Sequence, residues 1–355
     1  MTELAYHPVF EQQPSDEFVS AWLEHIRTTG YPETFGNVTT THPPKDGKVV
    51  LLSSDIKVPV LRREGQEWVP CPICSPTGKK FKVGRGAWFP EEKAVRFIGN
   101  KCAARHFGEL YAEAEERFKV EARCRQLVAA WAGLLGRRSE LLTLIDEARP
   151  IAEALSFVRE QIDDQAPGFS DFLYMDLAKR QGELSIKNDT GLRDQKGQVI
   201  LETVVLGQVY GYVFLKRGFA PQNVLREAKA FLTAMDTPLP PWSPGGSDDA
   251  ATVEVLSRGG QALKMMKAVR ETVALIDNAQ RFLSSFTMSL LERWGRNEQS
   301  PFRSLTFTQT GKQILLRSVS FAGEHYANAL VPDAALMTLP YHPDTLDPLT
   351  SERPL

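Results

Sequence analysis

The chain has 355 residues, of which 42% are hydrophobic and 24% charged, and its formal net charge is -2. This composition predicts ordinary globular structure, with roughly two or three domains at this length. The first eighteen residues carry no basic start and no apolar segment, and no run approaches the roughly eighteen apolar residues of a membrane helix, so we expect a cytoplasmic protein with no membrane partner.

A first α/β domain is predicted over residues 1–106. Residues 14–28 predict a helix that begins at Ser15 or Asp16. Its apolar face comprises Phe18, Trp22, Leu23 and Ile26. His25 lies on the polar side of this helix, which we favour over a metal-ligand role. The segments KVVLL and VPVLRREGQEWVPC then predict strands that lead to the first cysteine.

Three of the four cysteines and one histidine form the pattern C-x2-C…C-x3-H, through Cys71, Cys74, Cys102 and His106. In a C-x2-C turn both thiolates can point at one ion, and positions i and i+4 of a helix share a face. Thiolate and imidazole ligands suit Zn2+, and four protein ligands leave no position for a substrate. The pattern therefore predicts a structural zinc site in a module of about residues 68–108. The alternative is that the cysteines are buried small side chains and His106 is an exposed helix residue.

The segment GAWFPEEKAVRFIG predicts a β hairpin between the two cysteine groups. A cysteine knuckle, a hairpin and a helix carrying the last two ligands resemble the treble-clef arrangement of zinc fingers, over about 40 residues. The resemblance implies a binding module without choosing its ligand, since that layout serves nucleic-acid binders, protein-interaction modules and some nucleases.

Between Cys71 and His106, eight basic residues accompany two acidic ones, a surplus of six positive charges. The predicted nucleic-acid contacts are Lys79, Lys80, Lys82, Arg85, Arg96, Lys101 and Arg105. The stretch TGKKFKVGRG predicts a basic loop that approaches phosphates closely, with Phe81 or Trp88 available to stack on an unpaired base. The equally weighted alternative for the aromatics is a small core made of Phe81, Trp88, Phe89 and Phe97.

Residues 107–235 predict a helical hairpin followed by a small sheet. The first helix has near-heptad apolar spacing and is predicted to end at Pro150. A second apolar pattern begins at Ile151, and we expect the two helices to pack as an antiparallel pair, with a free coiled-coil arm as the alternative. A straight helix from Cys102 would put Cys124 roughly 33 Å from the metal, so we interpret Cys124 as a packed free thiol.

Strands are predicted in ELSIK, QVILETVVL and VYGYVFLK between residues 183 and 216, with a short helix near 221–235. Residues 236–250 are rich in proline, glycine and acids, which predicts an extended or disordered linker whose Trp242 docks on a partner or on a nearby domain.

Residues 251–330 predict a long helix followed by a β hairpin that turns at Thr310, Gly311 and Lys312. Residues 331–355 predict an irregular tail.

Catalytic motifs are absent from the sequence: it has no phosphate-binding glycine motif, no nucleophile elbow and no H-E-x-x-H. Three weaker candidates are DQK at 194–196, Glu324 with His325, and Asp248 with Asp249. We interpret each as solvated surface, because catalytic pKa tuning needs burial and partners. A non-catalytic role is therefore expected.

These patterns together predict an α+β, predominantly helical protein with an N-terminal treble-clef-like zinc module, long amphipathic helices and small β hairpins. We expect it to bind nucleic acid, DNA or RNA, as a non-catalytic component of a homo-oligomer or larger complex. One alternative is a coiled-coil scaffold or adaptor whose zinc module binds protein. A nuclease-type enzyme without a recognisable motif is the third.

Overall fold

A computed structural model describes residues 9–245, 249–298, 300–320, 323–339, 341 and 346. Helices predominate in this part of the chain, and the strands form small antiparallel sheets, so the predicted α+β, mainly helical character is confirmed. None of the described helices is both long and apolar enough to cross a membrane.

The chain divides into two compact units. The N-terminal unit contains the described residues up to Gln126 together with Pro241–Leu256, and the C-terminal unit contains Leu127–Pro240 and the described residues from Ser257 onwards. The boundary therefore lies inside a helix about twenty residues beyond the one predicted at residue 106. The predicted linker at 236–250 is divided between the two units.

Helix α1 spans Asp16–Thr29 and begins where its capping residue predicts. The Ser15 hydroxyl accepts a hydrogen bond from the backbone N–H of Phe18 at 3.3 Å, which satisfies one free donor of the first turn. Trp22 and Ile26 are buried. Leu23, predicted on the same face, is 36% exposed, because adjacent helix positions point about 100° apart.

The strands of the N-terminal unit are β1 Val50–Leu51, β2 Ile56–Lys57, β3 Val69–Cys71, β4 Ser75–Phe81, β5 Val83–Phe89 and β6 Ala94–Gly99. β5 pairs with β1, β2 and β6, and β3 pairs with β4. The predicted hairpin in GAWFPEEKAVRFIG is confirmed as β5–β6. Much of VPVLRREGQEWVPC forms 3-10 turns at Val60–Arg62 and Glu64–Gln66 instead of the predicted strand, and Gly65 adopts φ +60, outside the β region.

One short and two long helices follow: α2 Asn100–Phe107, α3 Glu109–Gly136 and α4 Arg138–Gln165. The predicted end at Pro150 is wrong, since α4 continues through that residue and the break falls at Arg137. A proline inside a helix costs about 3 kcal/mol, whereas each buried leucine or isoleucine on α4 contributes about 1.5–3 kcal/mol. The buried set includes Leu144, Ile145, Ile151, Leu155 and Ile162.

The prediction that the helices on either side of Pro150 pack as an antiparallel pair is also wrong. In the C-terminal unit, α4 packs against α6 Pro221–Ala234, the later helix α8 Gly260–Phe282, and the strand β11 Gly323–Leu330. The helix predicted near 221–235 is therefore confirmed, and its buried face covers α4. Gly108, with φ +55, separates α2 from α3, so no straight helix connects Cys102 to Cys124.

The remaining elements of the C-terminal unit are α5 Phe169–Lys179, β7 Glu183–Arg193, β8 Val199–Gln208, α9 Ser285–Gly295, β9 Phe302–Thr310 and β10 Gln313–Ser320. The hairpin predicted around Gly311 is confirmed as β9–β10, and β11 extends it to three strands. The predicted strand VYGYVFLK instead contains the 3-10 turn Tyr212–Leu215, which buries Phe214 and Leu215 in the core.

The long helix predicted from residue 251 consists of several segments. α7 Asp249–Glu254 belongs to the N-terminal unit and is followed by a π-helical turn, Val255–Gly259. α8 then ends at Phe282, and Ser284 caps α9.

The described part of the predicted linker is ordered by side-chain contacts. Trp242 Nε1 donates to Thr252 Oγ1 at 3.2 Å, and the Gly245 N–H donates to Glu121 Oε1 at 3.2 Å. Beyond the 3-10 turn Asp333–Leu336, most of the predicted tail lies outside the described residues.

Candidate metal centre

Three of the four predicted metal ligands converge in the N-terminal unit. The sulfurs of Cys71, Cys74 and Cys102 all lie within 4.8 Å of one another, and the Cys74 and Cys102 sulfurs are 3.4 Å apart. Cys71 ends β3, Cys74 lies in the turn before β4, and Cys102 is the third residue of α2. These cysteines can hold a metal ion.

The local structure explains why these sulfurs meet. Register irregularities on either side of Pro70 bend β3 where Cys71 pairs with Ser75, and the tight turn returns Cys74 toward the same point. Cys71 is fully buried among core side chains such as Ile98. Cys74 is exposed and Cys102 half-buried, so the cluster opens to solvent on one side.

The sulfur spacing fits a tetrahedral thiolate site. With metal–sulfur bonds of about 2.3 Å, as for Zn2+, tetrahedral geometry holds the sulfurs about 3.8 Å apart. The Cys74–Cys102 separation of 3.4 Å is slightly shorter than that length, and the other two separations are at most 4.8 Å. Burial, together with contact to Cys74 and Cys71, raises the pKa of the Cys102 thiol to about 12. Three thiolates this close repel one another, and a divalent cation between them offsets the repulsion.

His106, the predicted fourth ligand, is not a member of this group. It lies on the same helix as Cys102, four residues later, but its ring packs edge-on against His42 at 5.1 Å and against Phe107 at 4.7 Å. Its Nε2 is buried and has no hydrogen-bond partner among the described residues. Ligation by His106 therefore stays a prediction.

Cys124 and His25 agree with their non-ligand interpretations. Cys124 is buried and free, and burial raises the pKa of its thiol. His25 Nε2 lies 3.1 Å from the Tyr31 carbonyl oxygen and 3.0 Å from Thr34 Oγ1.

Arg96 corrects the predicted nucleic-acid surface. Its side chain is 0% exposed and pairs with Glu92 at 2.8 Å. Its Nε donates to the Thr41 carbonyl at 2.7 Å, and its guanidinium covers the Phe89 ring at 4.8 Å. A guanidinium enclosed in this way cannot reach a phosphate, so the prediction is wrong for Arg96.

Arg85 is also engaged in ion pairs within the N-terminal unit. Its side chain is 16% exposed and lies between Asp55 and Glu115, with its Nη1 2.7 Å from a Glu115 oxygen. Burial alone would raise the pKa of Asp55, but the hydrogen bonds from Arg85 and Asn100 outweigh it, and that pKa is lowered. An arginine held between two carboxylates is a poor ligand for phosphate.

Pairing reduces the positive surplus of residues 71–106. Lys79 pairs with Glu67 and Lys93 with Glu11. With Arg85, three of the eight basic side chains are thus neutralised by acids outside this stretch, and the surplus falls from six to three. The predicted contact residues that are exposed and have no ionic partner among the described residues are Lys80, Lys82, Lys101 and Arg105.

The predicted basic loop is in fact the β4 strand and the start of β5. Phe81 stacks on Phe97 at 5.6 Å, and Phe89 and Phe97 are buried. Trp88 is half-buried. The small-core interpretation is therefore confirmed for Phe89 and Phe97, and Phe81 is not free to stack on a base.

Trp68 is an exposed aromatic that the sequence interpretation missed. Val69 pairs with Phe81 across β3 and β4, which places Trp68 beside Lys82. Lys82 Nζ lies 4.8 Å from the centroid of the indole, which belongs to a side chain 45% exposed. Only the register of β3 on β4 reveals this neighbour.

The weak catalytic candidates have structural roles where the structure describes them. Asp194 Oδ1 accepts hydrogen bonds from two backbone N–H groups of its own turn, and Glu324 pairs with Arg317 at 3.0 Å. Asp249 begins α7, and Asp248 lies outside the described residues.

Comparison with known proteins gives no assignment, since no protein-family model, curated protein or solved structure matches the chain.

Proposed function

We propose that the N-terminal unit is a zinc-stabilised module that binds nucleic acid, and that the chain acts as a non-catalytic component of a larger assembly. Zinc is the metal that best suits three thiolates with an imidazole, and His106 is the proposed fourth ligand after rotation of its side chain. Its buried, unpartnered Nε2 supports that role. The order of knuckle β3–β4, hairpin β5–β6 and helix α2 supports a treble-clef-type module.

The observation that carries the nucleic-acid proposal is a set of exposed cations without carboxylate partners among the described residues, one of which lies over an exposed indole. Lys80 lies in β4 and Lys82 directly follows that strand, with its Nζ over the Trp68 ring. Lys101 and Arg105 are four residues apart on α2, so they share its exposed face. The 3.4 Å contact between Cys74 and Cys102 links the β3–β4 turn to α2.

Lys82 and Trp68 suit a single-stranded ligand in particular. A cation over an exposed ring is worth about 0.5–1 kcal/mol, whereas a base stacked on an aromatic ring is worth about 1–3 kcal/mol. A base can therefore displace the Lys82 ammonium from the indole and free it for the neighbouring phosphate.

The alternative, a scaffold that binds protein, is favoured by exposed apolar side chains on the β7–β8 hairpin, among them Leu192, Leu201 and Val205. Salt dependence separates the two functions, because phosphate contacts release counterions and apolar contacts do not.

The test compares Lys80→Glu/Lys101→Glu with Lys216→Glu/Arg217→Glu, a pair with the same charge change on exposed residues of the C-terminal unit. Binding to single-stranded DNA, RNA and duplex DNA is followed by fluorescence anisotropy across salt concentrations. Four phosphate contacts predict a log–log salt slope of about 3 for the parent, and loss of two contacts flattens it by about 1.5. Affinity falls at least about tenfold for the first variant only.

Trp68→Ala refines the same assay. It should weaken single-strand binding by about 1–3 kcal/mol for each stacked base and leave duplex binding almost unchanged. If the zinc-loaded parent binds none of these nucleic acids, or if both double variants lose affinity equally, the proposal fails and the protein-binding scaffold becomes the better explanation.

A further inference from the structure

The hairpin of β7 and β8 carries an apolar stripe on the surface of the C-terminal unit. Leu201 is 53% exposed and Val205 57% exposed. Leu201 pairs with Asp189 and Val205 with Ser185, so both side chains lie on one face of the hairpin. Val199, 40% exposed, continues the stripe because it lies two residues before Leu201.

In the β9–β10–β11 sheet of the same unit, helices make hydrogen bonds to the backbone of both edge strands. On β11, Gln161 and Gln165 of α4 both donate to and accept from the backbone of Leu330 and Asn328. On β9, the Phe307 N–H donates to a carboxylate oxygen of α9 at 2.6 Å. On β8, the Thr190 hydroxyl of the paired strand β7 donates to the Ile200 carbonyl at 2.7 Å. Apart from β7, no described element makes a side-chain hydrogen bond to the backbone of β8 between Val199 and Val205, and β8 pairs with no described strand other than β7. That edge is available for another strand.

We propose that β8 pairs antiparallel with β8 of a second copy of this chain, around a two-fold axis at Thr203. In this register Leu201 lies opposite the partner's Val205, and Ile200 lies opposite the partner's Leu206. The two hairpins form one four-stranded sheet. A two-stranded hairpin alone is marginally stable in water, whereas three or more strands with an apolar face are stable.

The charge pattern of β8 favours a second copy of this chain as the partner that pairs with this strand. Glu202 is the only charged residue of Val199–Gln208. Centred on Thr203, the pairing sets each Glu202 opposite the partner's Val204 and keeps the two carboxylates apart. A strand with one acidic and no basic residue offers nothing to a nucleic acid, while apolar residues placed symmetrically about Thr203 give the self-complementary surface that a two-fold interface needs.

Reciprocal charge substitutions test the pairing in the full-length chain. Leu201→Lys or Val205→Glu alone places a charge against an apolar side chain twice in each dimer, and should weaken dimerisation at least about tenfold by sedimentation equilibrium. The double variant Leu201→Lys/Val205→Glu sets lysine against glutamate at both positions and should restore the dimer to within about threefold of the parent. Circular dichroism and zinc content verify folding for each variant.

Crosslinking tests the register independently. Paired Cα atoms across antiparallel strands are about 4.5–5.5 Å apart, within disulfide range, so Thr203→Cys should form an intermolecular disulfide under mild oxidation. In the matched control Glu202→Cys, the two copies of the substituted position are about 8 Å apart, beyond that range. Mass spectrometry of the linked peptide distinguishes this bond from any bond to a native cysteine.

A parent protein that stays monomeric at the highest attainable concentration overturns the proposal and leaves the stripe to a different protein partner. A dimer that is insensitive to both single variants, or that crosslinks equally through positions 202 and 203, overturns it as well.

Discussion

Replacing Cys102 by serine should release the metal. Cys102 supplies one of three sulfurs within 4.8 Å of one another and is the only one of them on α2. Without its thiolate, the remaining sulfurs of Cys71 and Cys74 come from a single turn, and the metal no longer ties that turn to the helix.

The size of the effect follows from the number of ligands. Structural zinc in small modules contributes roughly 10–16 kcal/mol of apparent binding free energy at pH 7. Loss of one ligand from a four-ligand site removes about a quarter, roughly 3–4 kcal/mol, which corresponds to a two- to three-order increase in Kd for the metal. The parent protein should contain one zinc ion per chain, and Cys102→Ser much less after gel filtration without chelator.

Cys124→Ser is the matched control. Cys124 is 0% exposed and free, so a hydroxyl there is buried without a designed partner and should cost about 1–3 kcal/mol of stability. The two variants should therefore differ in zinc content: Cys124→Ser is less stable than the parent yet keeps its zinc, whereas Cys102→Ser loses its zinc. Elemental analysis by mass spectrometry gives the metal content, and urea denaturation gives the stability.

Full zinc occupancy in Cys102→Ser would refute a metal centre built on these cysteines. The metal centre would also be refuted if the purified parent protein contained neither zinc nor another thiophilic metal.

Two further predictions concern the charged residues of the N-terminal unit. Arg96→Met should lower the free energy of unfolding by about 3 kcal/mol, because it removes a buried cation that pairs with Glu92. The surface control Arg105→Met should change that free energy by less than about 0.5 kcal/mol, and equal effects of the two variants in urea denaturation would contradict the structural role of Arg96. Asp55→Asn should be less stable than the parent at neutral pH, and this difference in stability should close as pH falls below the ordinary Asp pKa of 3.8, because the folded-state pKa of Asp55 is lowered and its stabilisation is lost on protonation. A stability difference that stays constant from pH 7 to pH 3 would exclude a stabilising role for the Asp55 carboxylate.

Short-range features of this protein could be predicted from the sequence. Ser15 marks the start of α1, the turns after Phe89 and Thr310 define two hairpins, and the C-x2-C spacing brings Cys71 and Cys74 together. Each depends on residues within a few positions of one another, where capping, turn geometry and side-chain periodicity act directly.

Other features depended on residues far apart in the chain. Pro150 is carried inside α4 because helices from later in the sequence cover its apolar side chains. The segment around Phe214 has strand-like composition, yet burial against the helical core favours a 3-10 turn. In both places tertiary burial outweighs a local preference of at most a few kcal/mol.

The candidate site shows the same division. The possible metal ligands and the concentration of positive charge could be predicted without the fold, because ligand chemistry and charge belong to the residues themselves. The sequence did not reveal that Arg96 is enclosed, that Arg85 lies between two carboxylates, or that Trp68 lies beside Lys82. Burial and ion pairing depend on which distant segments pack together, and strand register and long-range core contacts set that packing.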